Sequence, residues 1–134
     1  MPFSQYLADE LIDWVKGTDM PTAPAATYIA LFNGDPSGAG TEITNTIKGS
    51  TTRNAIALGA VSTSGNFRQA DNTAEITITA SASAGATADY AAIFDAATGG
   101  NLLSYDTLTA SKTITTGDEV KFEANAAVYK VKIA

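Results

Sequence analysis

The side chains of this 134-residue chain that could do chemistry are carboxylates and hydroxyls, because it contains neither histidine nor cysteine. Without histidine there is no ordinary general base near neutral pH, no Ser-His-Asp or Cys-His nucleophile, and little scope for transition metals. Without cysteine there is no disulfide framework and no thiolate ligand. Asp35, Asp89, Asp95, Asp106 and Asp118 remain. A pair of them could serve glycoside hydrolysis, and several could offer oxygens to calcium. None stands at the D-x-D-x-D-G spacing of a calcium loop. Asp35, Asp95 and Asp118 each sit beside turn residues, where an aspartate satisfies nearby backbone N–H groups, and that is the preferred reading. Gly38-Ala39-Gly40 lacks the further glycines and the helix start of a phosphate loop. The sequence therefore predicts no catalytic residue, no cofactor and no metal, and the chain reads as non-enzymatic.

Bulk properties narrow the partners. Hydrophobic residues make up 45% and charged residues only 16%, with a net charge of −6. This is a folding sequence with an unusually weakly charged surface, suited to packing in an assembly. Its eight basic residues form no stripe, so nucleic acid and anionic membrane are not expected partners. A basic or neutral docking surface is easier to accept than an acidic one. The start, Met1-Pro2-Phe3-Ser4, does not read as a signal peptide, and no apolar run approaches the roughly 20 residues of a membrane helix. The expectation is synthesis and assembly in a cytoplasm.

The elements that would position these residues are mostly strands. Phe3, Leu7, Leu11, Trp14 and Val15 recur at helical spacing, with Ser4 as N-cap and Gly17 as stop. The helix of 1–17 is expected to dock on its own sheet, with a neighbouring subunit as the alternative. Trp14 would anchor it in the core or in a partner's pocket. A proline-containing connector, 18–26, leads to a β-domain over 27–134. Thr27–Phe32 reads as a central strand buried on both faces, one of them meeting the helix. Residues 34–52 read as a long polar loop, where a contact surface is expected first. Shorter strands follow: Asn54–Val61, Ala74–Thr79 with Ile76 and Ile78 inward, Tyr90–Asp95 and Leu102–Leu108, with an Ala80–Ala88 low-complexity stretch between. Val120/Phe122 and Tyr129/Val131/Ile133 suggest a last hairpin, pairing Phe122 with Val131 and Val120 with Ile133. That register sets Glu123 opposite Lys130 and Lys121 opposite Lys132, lysines that would blunt an open edge or dock a partner. The aromatics lie in strands and read as core before they read as a sugar platform. The expected fold is mainly β: a single-domain β-sandwich or flattened barrel with one N-terminal α-helix. Trp14, Asp35, Gly38, Gly40, Glu42, Lys121 and Lys132 are the partner-contact candidates.

Several segments, in order, resemble a family of tailed-bacteriophage proteins labelled tail-fibre or minor virion structural proteins. They are Phe3-Ser4-Gln5-Tyr6-Leu7-Ala8 with the Leu11/Trp14 helix, and Tyr28–Phe32 followed by Asp35-Pro36 and Gly40-Thr41-Glu42. The closest likeness runs from Ile93-Phe94-Asp95 through Gly99-Gly100-Asn101 to Ser111-Lys112-Thr113-Ile114, Gly117-Asp118 and the strand at Phe122. The chain departs from the family pattern at Ala88-Asp89-Tyr90-Ala91 and in its lysine-rich C-terminus. The resemblance implies a structural protein on the virion surface. Capsid decoration or cement is the favoured role, as a homotrimer on the major capsid protein; a tail or fibre component is the alternative. A carbohydrate-binding module and an acidic-dyad glycosidase are the readings from other classes.

Overall fold

The computed structural model describes residues 2–81 and 85–133, so residues 82–84 of the Ala80–Ala88 stretch lie outside the described residues. Helix α1 (Gln5–Val15) begins where the Ser4 hydroxyl accepts from the Leu7 N–H at 3.1 Å, the N-cap its sequence predicts. Strand β1 (Thr27–Asn33) is the buried centre expected of its continuous apolar run, with Ile29 to Phe32 all buried. It pairs antiparallel with β7 (Ala86–Phe94) along one edge. Its other edge takes β2 (Thr41–Glu42) near its end and β3 (Asn54–Ile56) near its start. Strand β8 (Leu102–Ile114) pairs with the far side of β7 and forms the sheet's border.

Two expectations about this sheet need correction. The helix meets the border strand, not the face of β1: the Ser4 N–H donates to the Leu103 carbonyl at 2.9 Å and Phe3 bridges Ser104. The segment 34–52 is not all loop. It holds β2 and a short helix, α2 (Thr44–Lys48), with Ile43, Thr44 and Ile47 buried. Two isoleucines four residues apart suffice to pin one helical turn on the core, and polar neighbours masked that spacing. The Thr44 hydroxyl accepts from the Leu31 N–H at 2.9 Å, which fixes the turn against β1.

The second layer is a bent ribbon. Strand β5 (Phe67–Asp71) runs on into β6 (Ile76–Thr79), and β9 (Glu119–Phe122) runs on into β10 (Val128–Lys132). Ile76 and Ile78 are buried, as their alternation predicts. The expected hairpin of β9 with β10 is not formed. Strand β9 pairs with β6, placing Phe122 opposite Ile76 and Lys121 opposite Thr77. Strand β10 pairs with β5, placing Val131 opposite Arg68, Lys130 opposite Gln69 and Lys132 opposite Phe67. Lys121 therefore never faces Lys132, and Ile133 is largely exposed instead of inward.

The reason is a corner built on Asn72. Its side chain is fully buried; Nδ2 donates to the Ala74 and Glu123 carbonyls at 2.8 and 2.9 Å, and Oδ1 accepts from the Ala127 N–H at 2.9 Å. Its backbone N–H donates to Ala127, and its carbonyl accepts from Asn125. Between the paired segments lie residues 72–75 on one strand and 123–127 on the other, one residue more. Such an extra residue bends a ribbon as a bulge does. The Asn54–Val61 strand is also shorter than expected: β3 ends at Ile56, and β4 (Ser62–Ser64) follows as an outer partner of β5.

The ribbon lays Ile76, Ile78 and Val120 over Ile29, Leu31 and Ile93 of the larger sheet, with α2 closing one end through Ile47. The fold is mainly β, with several antiparallel sheets and, among the described residues, no closed barrel.

Candidate functional site

The contact candidates fall into three separate places. Asp35, Gly38, Gly40 and Glu42 come together in the turn after β1. The Asp35 carboxylate accepts from the Ser37 hydroxyl and N–H at 2.7 and 2.8 Å, and both bonds hold it below the usual carboxylate range. The Asp35 carbonyl accepts from the Gly38 and Gly40 N–H groups. A side chain at Gly40 would run into the carbonyls of Gly34 and Asp35, so this turn requires glycine there. Gly34, at φ +83°, donates its N–H to Asp89 at 2.7 Å, which ties the turn to β7.

Glu42 faces inward, to a residue that sequence reasoning did not single out. Arg53 is buried and forms a two-pronged pair with Glu42, Nε to Oε1 at 2.9 Å and Nη2 to Oε2 at 2.8 Å. Its Nη1 donates to the carbonyls of Ala96 and Gly99 at 2.9 and 2.7 Å, and the guanidinium lies 3.7 Å over the Phe94 ring. One side chain thus joins β2, β3 and the turn between β7 and β8. In sequence its signal was faint: one of two arginines in the chain, eleven residues past a glutamate. Glu42 is a structural partner of Arg53 before it is a contact for another protein.

Lys121 and Lys132 lie apart on the ribbon. Lys121 pairs with Glu119 at 3.4 Å and Glu75 at 3.8 Å, contacts of half-exposed groups that add little stability. Lys132 is exposed on β10. Asp95 and Asp118 act as turn caps: Asp95 accepts from the Asn101 N–H and side chain, and Asp118 from the Thr115 N–H and hydroxyl. Among the described residues, no three carboxylates converge as a metal would require. Phe32 and Phe94 stack at 6.1 Å, largely buried within the larger sheet.

Trp14 stands elsewhere again. The start of α1 is tied to β8 by the Ser4 N–H on Leu103 and the Phe3 bridge to Ser104. Its C-terminal half leaves Leu11 39%, Ile12 59%, Trp14 58% and Val15 74% exposed. The apolar face predicted by spacing is real, yet its second half has no cover among the described residues. Asp9, Glu10 and Asp13 flank it, and Lys16 is engaged with Asp13 at 2.7 Å.

The ordered segments of the sequence pointed to a phage structural family, and residues 2–130 match the family model for podophage GP4 fiber I protein gp80. The chain belongs to that family. No curated protein matches it. Membership covers nearly the whole chain, from the N-cap of α1 to the middle of β10, and gives it a structural role in a phage virion.

Proposed function

We propose that this chain is a non-enzymatic building block on the tail side of the virion, held to its neighbour by the uncovered strip of α1. The observation that carries this reading is the run of Leu11, Ile12, Trp14 and Val15 on a helix whose other half is already docked. A tryptophan left mostly in water beside three aliphatic side chains is the composition of an interface anchor. The flank of Asp9, Glu10 and Asp13 repels another acidic surface, so the partner offers an apolar patch rimmed by lysine or arginine. A fibre family supports the tail side over the head. The turn at Asp35–Gly40 is a rigid, exposed secondary contact.

Head decoration, as a homotrimer on the major capsid protein, is the second reading. The low charge of the surface favours it, since shell proteins pack over wide neutral areas. Counting copies in purified virions separates the two: a handful places the chain on the tail, hundreds on the shell. Trp14→Ser is expected to remove the chain from virions while leaving its unfolding midpoint in urea nearly unchanged. Normal incorporation of that variant would sink the anchoring role of α1.

A further inference from the structure

The connector that follows α1 returns beside it. Its residues Met20 to Pro24 and the helix residues Tyr6, Leu7 and Glu10 line a cleft of about 290 Å³. Leu103 of β8 and Asp95, just past the end of β7, complete the lining. Leu7, Met20, Leu103 and the two prolines make this lining chiefly apolar. Pro21 and Pro24 also lack an N–H, so neither brings a backbone proton to a carboxylate there.

Two carboxylates nevertheless share the cleft, and neither has a cation. Glu10 is half-buried and makes no ion pair among the described residues. Asp95, also half-buried, accepts from Asn101 but from no lysine or arginine. Partial burial, then the field of Glu10 and that of Asp95, raise the Tyr6 hydroxyl above its ordinary value. Both acids therefore act on the same space, and the Tyr6 hydroxyl keeps its proton at neutral pH. Negative charge beside apolar walls carries a desolvation cost that an entering cation offsets.

We propose that this cleft takes a lysine side chain of the virion protein on which α1 docks. Its stem lies along Leu7, Met20 and Leu103, as long cationic side chains lie on apolar surface, and its ammonium meets Glu10 and Asp95. Both Asp95 oxygens already accept from Asn101, so no free carboxylate edge awaits the rigid fork of an arginine. A compact ammonium with rotatable donors suits two acids on separate elements better. Leu11 and Trp14 stand four residues beyond Leu7 and Glu10, so the cleft and the uncovered strip are successive turns of one helix face. A second copy is disfavoured as the donor, because two chains of net charge −6 repel one another. This role of the cleft depends on the α1 anchor and gives the partner of that anchor its chemistry.

The test uses assembled virions, with a benzophenone amino acid at Val15 to capture whatever covers α1. Carbodiimide, which joins a carboxylate directly to an amine in contact with it, is applied to the same particles. The expected product is an amide between Glu10 or Asp95 and a lysine of a different virion protein, the one that Val15 captures. Glu10→Gln keeps the shape of the side chain and removes its charge. It is expected to speed release of the chain from virions about tenfold in moderate salt, with the urea midpoint of the isolated chain nearly unchanged. Glu10→Asp should recover part of the retention. Capture through Val15 without a carboxylate–lysine product, or with one only to another copy of this chain, would overturn the cleft proposal and leave the α1 anchor standing. Equal release of Glu10→Gln and the parent chain would overturn it as well. Virions that hold the chain but give no capture at Val15 would remove the anchor and the lysine cleft together.

Discussion

Removing the Arg53 guanidinium would leave the Glu42 carboxylate in a largely dry site and the Ala96 and Gly99 carbonyls without their donor. Breaking a buried pair from one side is far costlier than the pair's own net worth, because the partner's desolvation is no longer offset. Arg53→Ala is expected to destabilise the fold by about 3–5 kcal/mol in urea unfolding. Arg53→Lys should recover only part of that, since an ammonium cannot bond both Glu42 oxygens in one plane. A loss below ~1 kcal/mol for Arg53→Ala would show the clamp to be incidental. The exposed aspartates make a gentler prediction. The Thr115 N–H, then its hydroxyl, and the field of Lys112 hold the Asp118 carboxyl below its ordinary value. A lowered folded pKa contributes stability that is complete above the unfolded value, about 3.9, and is lost as pH falls through the folded one. Asp118→Asn should therefore flatten the acid side of the stability curve and leave the alkaline side unchanged, as read by urea midpoints at stepped pH. At this scale the sequence was readable where a residue acts on near neighbours, as Asp35, Asp95 and Asp118 do. Arg53 and Asn72 bond across 40 or more residues of chain, and no local pattern announces such partners.

Element by element, α1 and β1 were legible because each carries its own reason for existing. Ser4 caps, apolar side chains recur at helical spacing, and Tyr28–Phe32 has no polar face to offer water. Where α1 docks was not legible, since spacing tells which side is apolar and nothing of what covers it. The cap supports a direct test. Ser4 is buried and its N–H also bonds Leu103, so it sets both the start of α1 and its attachment to β8. Ser4→Ala removes only the hydroxyl and is expected to cost about 1 kcal/mol. It should also speed amide exchange in the first turn of α1, with Ser4→Thr restoring protection. Equal exchange in all three forms would mean that packing of Phe3 and Leu7 alone holds the helix. The short α2 escaped sequence reading for the opposite reason: two buried isoleucines and one threonine hydroxyl outweigh a glycine- and threonine-rich setting only once β1 is there to receive them.

For the whole molecule, fold class followed from composition and turn spacing, whereas strand pairing did not. Both β8–β9 and β9–β10 look like hairpins when only the connecting residues are read. The corner at Asn72 and the tie of Gly117 to Ala80 commit β9 and β10 to the ribbon, and the barrel is left open at β8. A border strand that bulges out of its pairing over residues 108–111 leaves backbone groups open to other copies and so threatens solubility. Between Thr107 and Thr113 the exposed border of β8 carries a single charged residue, Lys112, among threonine, serine, alanine and leucine. A lysine there would hinder edge-to-edge pairing between copies, because two antiparallel edges would have to bury it against an apolar neighbour. Lys112→Ala is expected to change the unfolding free energy by less than about 0.5 kcal/mol, as an exposed substitution does. It should nevertheless raise the rate of aggregation severalfold, followed by light scattering at neutral pH. Ala110→Lys, which adds a second charge on the same exposed segment, should slow aggregation below that of the parent chain. If the two variants aggregate at the same rate, the edge of β8 is not the route by which copies of this chain associate.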